Sequence, residues 1–157
     1  MSETYATVAS PFGELLLTAA DGALTGLYMP AEALEPRPGA LRDDAGFAHV
    51  RVQLEEYFAG RRRAFEVPVA PVGTAFQQRV WDELQRIEYA HTISYAELAK
   101  RIGRPTAIRA AGAANGRNPI SILIPCHRVI GSSGSLTGYS GGLEAKRLLL
   151  ELERSAE

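Results

Sequence analysis

The sequence predicts an α+β fold in two lobes, a small three-stranded antiparallel sheet with one helix and then a mostly helical lobe. Short β-prone runs separated by turn residues fill the first third of the chain, whereas apolar residues at helical spacing dominate the second half. A connector rich in proline and glycine lies between them at residues 67–73. We therefore expect the first lobe at residues 1–72 and the second at residues 73–157.

The first lobe is predicted to contain three strands and one helix. The β-prone runs cover residues 5–9, 14–19 and 24–29, and their close spacing favours an antiparallel meander. An irregular loop is expected at residues 31–44, and an amphipathic helix at residues 46–59. The apolar face of that helix is predicted to consist of Phe47, Val50, Leu54, Tyr57 and Phe58.

The second lobe contains two marked helix starts. Residues 74–77 and 94–97 each have a capping-box pattern, in which the first and last side chains bond to each other's backbone. The second box opens a short helix through Ile102, and a further helix is predicted at residues 106–115 after a break at Gly103. Two short helices around a glycine-containing turn are a candidate helix-turn-helix.

The helix predicted at residues 106–115 has almost no side-chain bulk, since it consists largely of alanine and glycine with Arg109 as its main protrusion. A helix that reads bases in the major groove normally carries several long polar side chains. A smooth helix with one arginine suits close approach to a narrower surface such as the minor groove. It equally suits tight packing against another helix, and both can hold on opposite faces.

Charge is unevenly distributed along the chain, although its net value is only −1 at pH 7. Residues 94–150 carry eight Lys or Arg against two Glu, a net charge of +6, whereas residues 1–93 carry a net charge of −5. This segregation indicates either a face that contacts a polyanion or a merely solvated surface.

The composition is that of a soluble globular protein, with 46% hydrophobic residues. We find neither an apolar run long enough for a membrane span nor a secretory signal, so a cytoplasmic location without membrane contact is expected. Cys126 is the single cysteine, which excludes an internal disulfide. The three histidines, His49, His91 and His127, show no metal-ligand spacing with it, so no metal site is expected.

Cys126 is the candidate nucleophile. The apolar run at residues 120–124 is predicted to be a strand that delivers Pro-Cys-His-Arg at its end. His127 can take the thiol proton and leave a thiolate. Because neighbours on a strand point to opposite faces, either the chain turns at Pro125 or a water carries the proton. Without such a base, a lone cysteine is more simply a small buried apolar side chain.

Four parts of the second lobe closely resemble the O6-alkylguanine-DNA alkyltransferases, also called methylated-DNA–protein-cysteine methyltransferases. They are Asn-Pro at residues 118–119, Ile-Pro-Cys-His-Arg-Val-Ile at 124–130, Gly-Tyr-Ser-Gly-Gly at 138–142, and Lys146. The resemblance runs over about residues 76–153, and its Pro-Cys-His-Arg block is highly specific. The first lobe also looks like the ribonuclease H-like lobe of that family, although this match is generic.

The resemblance implies a role for each catalytic position. Cys126 matches the alkyl acceptor, His127 the base that activates the thiol through a water, and Glu153 the carboxylate that orients this histidine. Asn118 matches the residue that braces the turn around the active site. Tyr95 matches the tyrosine that donates toward the guanine ring and helps the base to leave.

The resemblance also implies contacts with the damaged base and the duplex. The carbonyl of Val129 would accept from the exocyclic amine, Ser140 would contact O6, and Arg109 would fill the gap left by a flipped nucleotide. The other implied substrate or DNA contacts are Ala110, Ala114, Asn115, Arg117, Tyr139, Gly141 and Lys146.

These roles imply repair of DNA by direct reversal of damage. The alkyl group of O6-alkylguanine, and of O4-alkylthymine, would move irreversibly to Cys126 after the base is flipped out from the minor-groove side. A thioether offers no carbonyl to water, so each chain would react once. The expected partner is double-stranded DNA that carries the lesion, with no cofactor. We expect a monomer, with cooperative clustering on DNA left open, and association with the nucleoid in a bacterium.

One departure and three competing hypotheses accompany the resemblance. Glu88 and Ala90 replace what is commonly proline and glycine, and Ala90 implies either a negative φ or some strain. A related lesion-binding protein that does not react is one alternative, but such proteins replace the cysteine that this chain keeps. A helix-turn-helix regulator lacks an obvious dimer element here, and a Cys-His hydrolase would not need the basic segment.

Overall fold

The computed structural model describes residues 3–134, 136 and 138–156. It opens with three antiparallel strands, β1 (Thr4–Ser10), β2 (Gly13–Ala20) and β3 (Ala23–Tyr28). The turn between β2 and β3 has positive φ at both central residues, Asp21 and Gly22, as a tight hairpin requires. The predicted meander is therefore confirmed.

A fourth strand corrects the predicted three-stranded sheet. β4 (Leu41–Arg42) pairs in parallel with β1, and the strand order is β3-β2-β1-β4. Its amides join the sheet through Leu41 N–H to Glu3 O and Asp43 N–H to Tyr5 O, at 3.0 and 2.9 Å. The strand lies within the segment predicted to be an irregular loop, because two residues are too few to show an alternating pattern.

Five helices complete the described fold: α1 (Ala48–Phe58), α2 (Ala75–Leu84), α3 (Tyr95–Arg101), α4 (Ile108–Gly116) and α5 (Leu143–Ser155). The first four confirm the helices predicted from spacing and caps, and together with the sheet they confirm the α+β class. A helix at the position of α5 was not predicted from its own pattern, although it buries residues three and four apart.

The two capping boxes differ in detail. Thr74 Oγ1 accepts from Gln77 N–H at 3.1 Å and Gln77 Oε1 accepts from Thr74 N–H at 2.9 Å, so the first box is complete. At the second, Ser94 Oγ accepts from Glu97 N–H at 3.0 Å, but the Glu97 carboxylate pairs with Arg101 Nε instead. Only half of the second predicted box is therefore formed.

The two lobes share one hydrophobic core and several backbone hydrogen bonds. Leu27 N–H donates to Pro119 O at 2.9 Å, and Ser121 N–H donates to Leu27 O at 3.1 Å. Strand β3 of the first lobe thus holds the segment that precedes Cys126. None of the helices that the structure describes has the length and apolar character of a bilayer-spanning segment.

A small second sheet positions the entry to α3. β5 (Ile93–Ser94) pairs in parallel with β6 (Val129–Ile130), which directly follows the Cys-His-Arg block. The start of α3, with Tyr95, is therefore fixed beside the residues that follow the nucleophile. α3 and α4 are joined through Gly103, whose φ is +77°. The use of these two helices as a DNA-binding helix-turn-helix stays a prediction.

Candidate active site

The segment before Cys126 is a turn, which corrects the strand predicted at residues 120–124. Asn118 closes this turn with its side-chain amide. Its Nδ2 donates to Ile124 O at 2.7 Å and to Ile120 O at 3.3 Å, while its Oδ1 accepts from Ile120 N–H at 3.0 Å. Ile122 adopts φ +73° within the turn. Side-chain bonds of this kind compete with a strand ladder and leave no trace in hydrophobic periodicity.

The turn delivers Cys126 into one turn of 3₁₀-helix, Cys126–Arg128. Neighbouring side chains in such a helix project about 120° apart, not to opposite faces as on a strand. The chain therefore turns already before Pro125, and the Cys126 and His127 side chains are both buried in the same part of the molecule.

Behind His127 lies a buried carboxylate that collects five hydrogen bonds. Glu153 Oε2 accepts from His127 Nε2 at 2.7 Å and from Tyr57 Oη at 2.6 Å. Arg128 donates to both carboxylate oxygens, from Nε to Oε1 at 2.9 Å and from Nη2 to Oε2 at 3.0 Å. The backbone N–H of Ala90 donates to Oε1 at 3.3 Å. Hydrogen-bond donors from both lobes thus satisfy the carboxylate.

Electrostatics keep this carboxylate ionised. Burial alone would raise the pKa of Glu153, but the hydrogen bonds and charges of His127 and Arg128 outweigh it and hold the pKa well below its usual range. A buried ionised carboxylate with a bidentate arginine can orient a neighbouring imidazole without moving.

The pKa values of Cys126 and His127 favour a neutral thiol and a neutral imidazole. Burial raises the pKa of Cys126 to about 11, although a hydrogen bond from Asn118 and the charge of Lys146 act in the opposite direction. Burial also lowers the pKa of His127 below 6.5, against the opposing effect of Glu153. His127 Nδ1 has no hydrogen-bond partner among the described residues. With Nε2 directed at Glu153, Nδ1 is the nitrogen that can take a proton.

Lys146 is buried beneath the site, which corrects its predicted contact with DNA. Its Nζ donates to Val129 O at 2.6 Å and lies 5.8 Å from the centroid of the Tyr95 ring. Burial lowers the pKa of Lys146 to about 8, although the nearby Cys126 opposes this shift. The carbonyl of Val129 has a second lone pair, so it can still accept from a bound base.

Next to Tyr139, a residue whose pKa the nearby Cys126 raises, the second lobe opens into a pocket of about 490 Å³. Gly112 of α4 packs beside Tyr95, where a Cβ would lie 3.4 Å from the tyrosine ring, an ordinary van der Waals contact. The pocket is lined by Tyr95, Ile108, Arg109, Gly112, Gly116, Gly138, Tyr139 and Ser140. The structure thus brings together the predicted Tyr95, Arg109, Tyr139 and Ser140.

The two alternatives for the smooth helix α4 hold on opposite faces. Ala114 is buried, and its carbonyl accepts from Trp81 Nε1 at 2.9 Å, so its predicted contact with DNA is wrong. Arg109, Ala110 and Arg117 are exposed on the outer surface. Small residues are therefore needed for packing on one side and leave an even surface on the other.

Asn115 and Gly141 lie inside the site rather than on its surface. Asn115 is buried, and its Nδ2 donates to Cys126 O at 3.4 Å. A Cβ on Gly141 would lie 2.6 Å from Met29 Cγ and 2.7 Å from the Tyr139 ring, so no side chain fits there. Met29 belongs to the first lobe, which therefore supports the loop that borders the pocket.

Two further residues of the site were missed at the level of sequence. Arg128 belongs to the quoted Pro-Cys-His-Arg block, but that block alone assigned it no role. Tyr57 was predicted on the apolar face of the first helix, which says nothing about where its hydroxyl points. Spacing along the chain could not have paired either residue with Glu153, since only the fold brings them together.

Comparison with known proteins agrees with this geometry. The family model described as the DNA binding domain of 6-O-methylguanine DNA methyltransferase matches residues 75–155, and the model of its ribonuclease-like domain matches residues 4–71. The methylated-DNA–protein-cysteine methyltransferase of Mycolicibacterium paratuberculosis is 51% identical over 151 residues, which cover 96% of this chain and 92% of that protein. The protein of the same name from Methanosarcina acetivorans is 45% identical over 153 residues, which cover 96% of this chain and 98% of that protein.

A solved structure is similarly close. The crystal structure of Mycobacterium tuberculosis OGT in complex with DNA matches with a TM-score of 0.92 at 49% identity, and the match covers 98% of this chain and 94% of that one. Both lobes and the Cys126 site are thus accounted for by one family, and the chain belongs to the 6-O-methylguanine DNA methyltransferase family.

Proposed function

We propose that this protein is a methylated-DNA–protein-cysteine methyltransferase that repairs DNA by moving the alkyl group of O6-alkylguanine to Cys126. The observation that carries the proposal is the buried relay in which His127, the residue after Cys126, bonds to Glu153. The open pocket lies on the side of Tyr139, which interacts electrostatically with Cys126. Relatives that share about half of the sequence over nearly its whole length are named for this activity.

The first step is proton transfer. The thiol of Cys126 gives its proton to Nδ1 of His127, through a water as the family resemblance suggests. The resulting imidazolium is stabilised by the ionised Glu153 that accepts from Nε2. Because burial raises the pKa of Cys126, the thiolate forms only with such a base at hand.

The second step is displacement at the alkyl carbon. The Cys126 sulfur forms a bond to that carbon while the bond between the carbon and guanine O6 breaks, and the electron pair leaves with the base. Tyr95 borders the pocket and is the candidate donor to the leaving guanine. Guanine regains a proton and a normal pairing edge, and the protein retains a thioether.

The third element is access to the base, which is stacked in a duplex and must be extruded to reach Cys126. Arg109 is exposed at the rim of the pocket, on the smooth outer face of α4. We infer that α4 approaches the minor groove and that Arg109 occupies the space of the extruded nucleotide. The positive net charge of residues 94–150 supports this choice of partner.

Single turnover follows from the product. Water can hydrolyse a thioester, but a thioether has no carbonyl to attack, so the transfer is irreversible. O4-alkylthymine is a further expected substrate, since it presents the same kind of alkyl–oxygen bond. Cys126 must stay reduced to react, which favours a reducing compartment such as the cytoplasm.

The test is the intact mass of the protein after incubation with duplex DNA that carries O6-methylguanine. We expect one added methyl group per chain, located on Cys126 by peptide mapping, and no further turnover with excess substrate. Cys126→Ala serves as the control and should bind the same DNA without gaining mass. Bound DNA with unmodified protein would instead support a lesion-binding protein, and repeated turnover would support a hydrolase.

A further inference from the structure

Tyr57 belongs to the first lobe, yet its side chain reaches the catalytic relay of the second. It lies in the last turn of α1 and is fully buried. Its ring contacts Phe58, Phe65 and Tyr89, with centroid distances of 5.5, 5.3 and 6.3 Å. These contacts fix the direction of the hydroxyl group.

The hydroxyl of Tyr57 donates to Glu153 Oε2 at 2.6 Å across 96 residues of sequence. The same oxygen accepts from His127 Nε2 at 2.7 Å. Burial raises the pKa of Tyr57 well above 10, and the charge of Glu153 raises it further, so the phenol remains a donor over the working pH range. Tyr57, His127 and Arg128 Nη2 therefore share one acceptor atom, and Tyr57 is the neutral donor among them that the first lobe supplies.

Sharing an acceptor has a direct physical consequence. Each donor withdraws negative charge from the oxygen, so a strong phenol bond weakens the pull of the carboxylate on an imidazolium proton. With the phenol removed, Oε2 would stabilise protonated His127 more strongly. A base that is already protonated cannot take the thiol proton.

We propose that Tyr57 is a positioning residue for alkyl transfer: its hydroxyl moderates Glu153 so that His127 stays neutral and oriented beside Cys126. The proposal rests on the proposed function and assigns a direct bond with the relay to the first lobe, whose other contacts support the turn before Cys126 and the loop at the pocket. The relay is then incomplete without a group from that lobe.

Other charged and titratable groups also face the relay, so none of these residues is substituted in the test. They are Cys126 and Arg128 on the 3₁₀ turn, Tyr89 next to Ala90, Lys146 on α5, Tyr139 at the pocket, and Glu32 of the first lobe, whose charge acts on Cys126 and Tyr139. Because the pKa of Lys146 is about 8, rates are best compared below pH 7.

The test uses the full chain with Tyr57→Phe, which keeps the ring and its packing but removes the hydroxyl. Tyr5→Phe on β1 removes a hydroxyl from the same lobe away from the site and is the matched control. We expect the NMR titration of His127 to move to higher pH in Tyr57→Phe. The fall of the transfer rate at low pH should move to higher pH by the same amount. On this acid side of the profile the rate of Tyr57→Phe should be about three- to tenfold lower than that of the wild type, which corresponds to the free energy of one hydrogen bond.

Three outcomes would decide the matter. Titration and rate profiles that coincide with those of the wild-type chain would overturn the proposal. An equal loss of rate at every pH, with an unmoved His127 titration, would also overturn it, because that is the result of a packing defect. A moved titration in a chain whose wild type accepts no methyl group would support the coupling and reject the proposed function.

Discussion

The two sides of Cys126 are built in opposite ways. The back of the site, which we define as His127, Arg128, Glu153 and Tyr57, is buried and joined by hydrogen bonds of 2.6 to 3.0 Å. The front of the site, the pocket of Tyr95, Arg109, Ser140 and their neighbours, is open, and Arg109 and Ser140 are exposed. Charge is paired behind the thiol and left available in front of it.

This difference follows from the two tasks. A proton acceptor must be held in one geometry, which a buried and fully bonded cluster provides. A pocket that receives a base from a duplex must stay accessible before the DNA arrives. Substitutions at the back should therefore reduce stability together with activity, whereas those at the front should affect the handling of the base and the DNA with little loss of stability.

The largest expected effect is that of Glu153→Gln. The change leaves the buried Arg128 guanidinium without its ionised partner, so the free energy of unfolding should fall by about 3 to 5 kcal/mol. Alkyl transfer should be lost as well. Chemical denaturation and a single-turnover transfer assay measure the two effects. Glu144→Gln, on the exposed side of the same helix, is the control and should remain close to the wild type.

Asn118→Ala should have the next largest effect. It leaves Ile120 N–H and Ile124 O without their buried partner, which should reduce the free energy of unfolding by about 2 to 4 kcal/mol. Asn118→Asp keeps the acceptor but directs a buried carboxylate oxygen at Ile120 O and Ile124 O, so it should be at least as destabilising as alanine. Denaturation curves for all three chains measure this order. If both variants are as stable as the wild type, the turn does not depend on the amide.

Ala90→Gly should produce a smaller effect of opposite sign. Ala90 has φ +64°, so of the two alternatives raised by the sequence it adopts the strained one, and this directs its N–H to Glu153. Glycine relieves the strain, and the free energy of unfolding should rise by about 0.5 to 1 kcal/mol after the entropic cost of glycine. The gain is measured as an upward shift of the denaturation midpoint, and a lower midpoint would contradict the strain.

Arg109→Ala should change stability least, within about 0.5 kcal/mol, because its side chain is exposed. The second-order rate of transfer from duplex DNA should nevertheless fall much more than the rate with free O6-methylguanine base, since only the duplex requires extrusion. Equal losses of rate with duplex DNA and with the free base would show that Arg109 does not act through the duplex.

The sequence predicted those elements whose signals are local. Strands β1 to β3 and helices α1 to α4 follow from alternation, helical spacing and caps. The turn at residues 120–124 was mistaken for a strand, because an apolar run has the same appearance in both and Asn118 decides between them. β4 was missed because its two residues pair only in the folded sheet.

The residues of the site also divide into those with a local signal in the sequence and those that only the fold places. Cys126 and His127 are adjacent in the chain, so their chemistry could be inferred directly, and resemblance added Glu153. Lys146 and Ala114 were predicted to contact the substrate or the DNA, and both are buried, since neither a basic charge nor a small side chain reveals its burial in advance. Tyr57 could be placed on a helix face, but its partner is 96 residues away and depends on the packing of both lobes.

The hydrogen bond from Tyr57 to Glu153 also bears on the order of folding. Contacts between distant residues form after local ones, because a long loop must first be closed. The relay joins α1 to α5, so it can assemble only once α1 has formed and α5 has packed against the Cys126–Arg128 turn. During synthesis the thiol of Cys126 therefore emerges before the carboxylate of its relay, and the chain acquires reactivity as one of its last folding events.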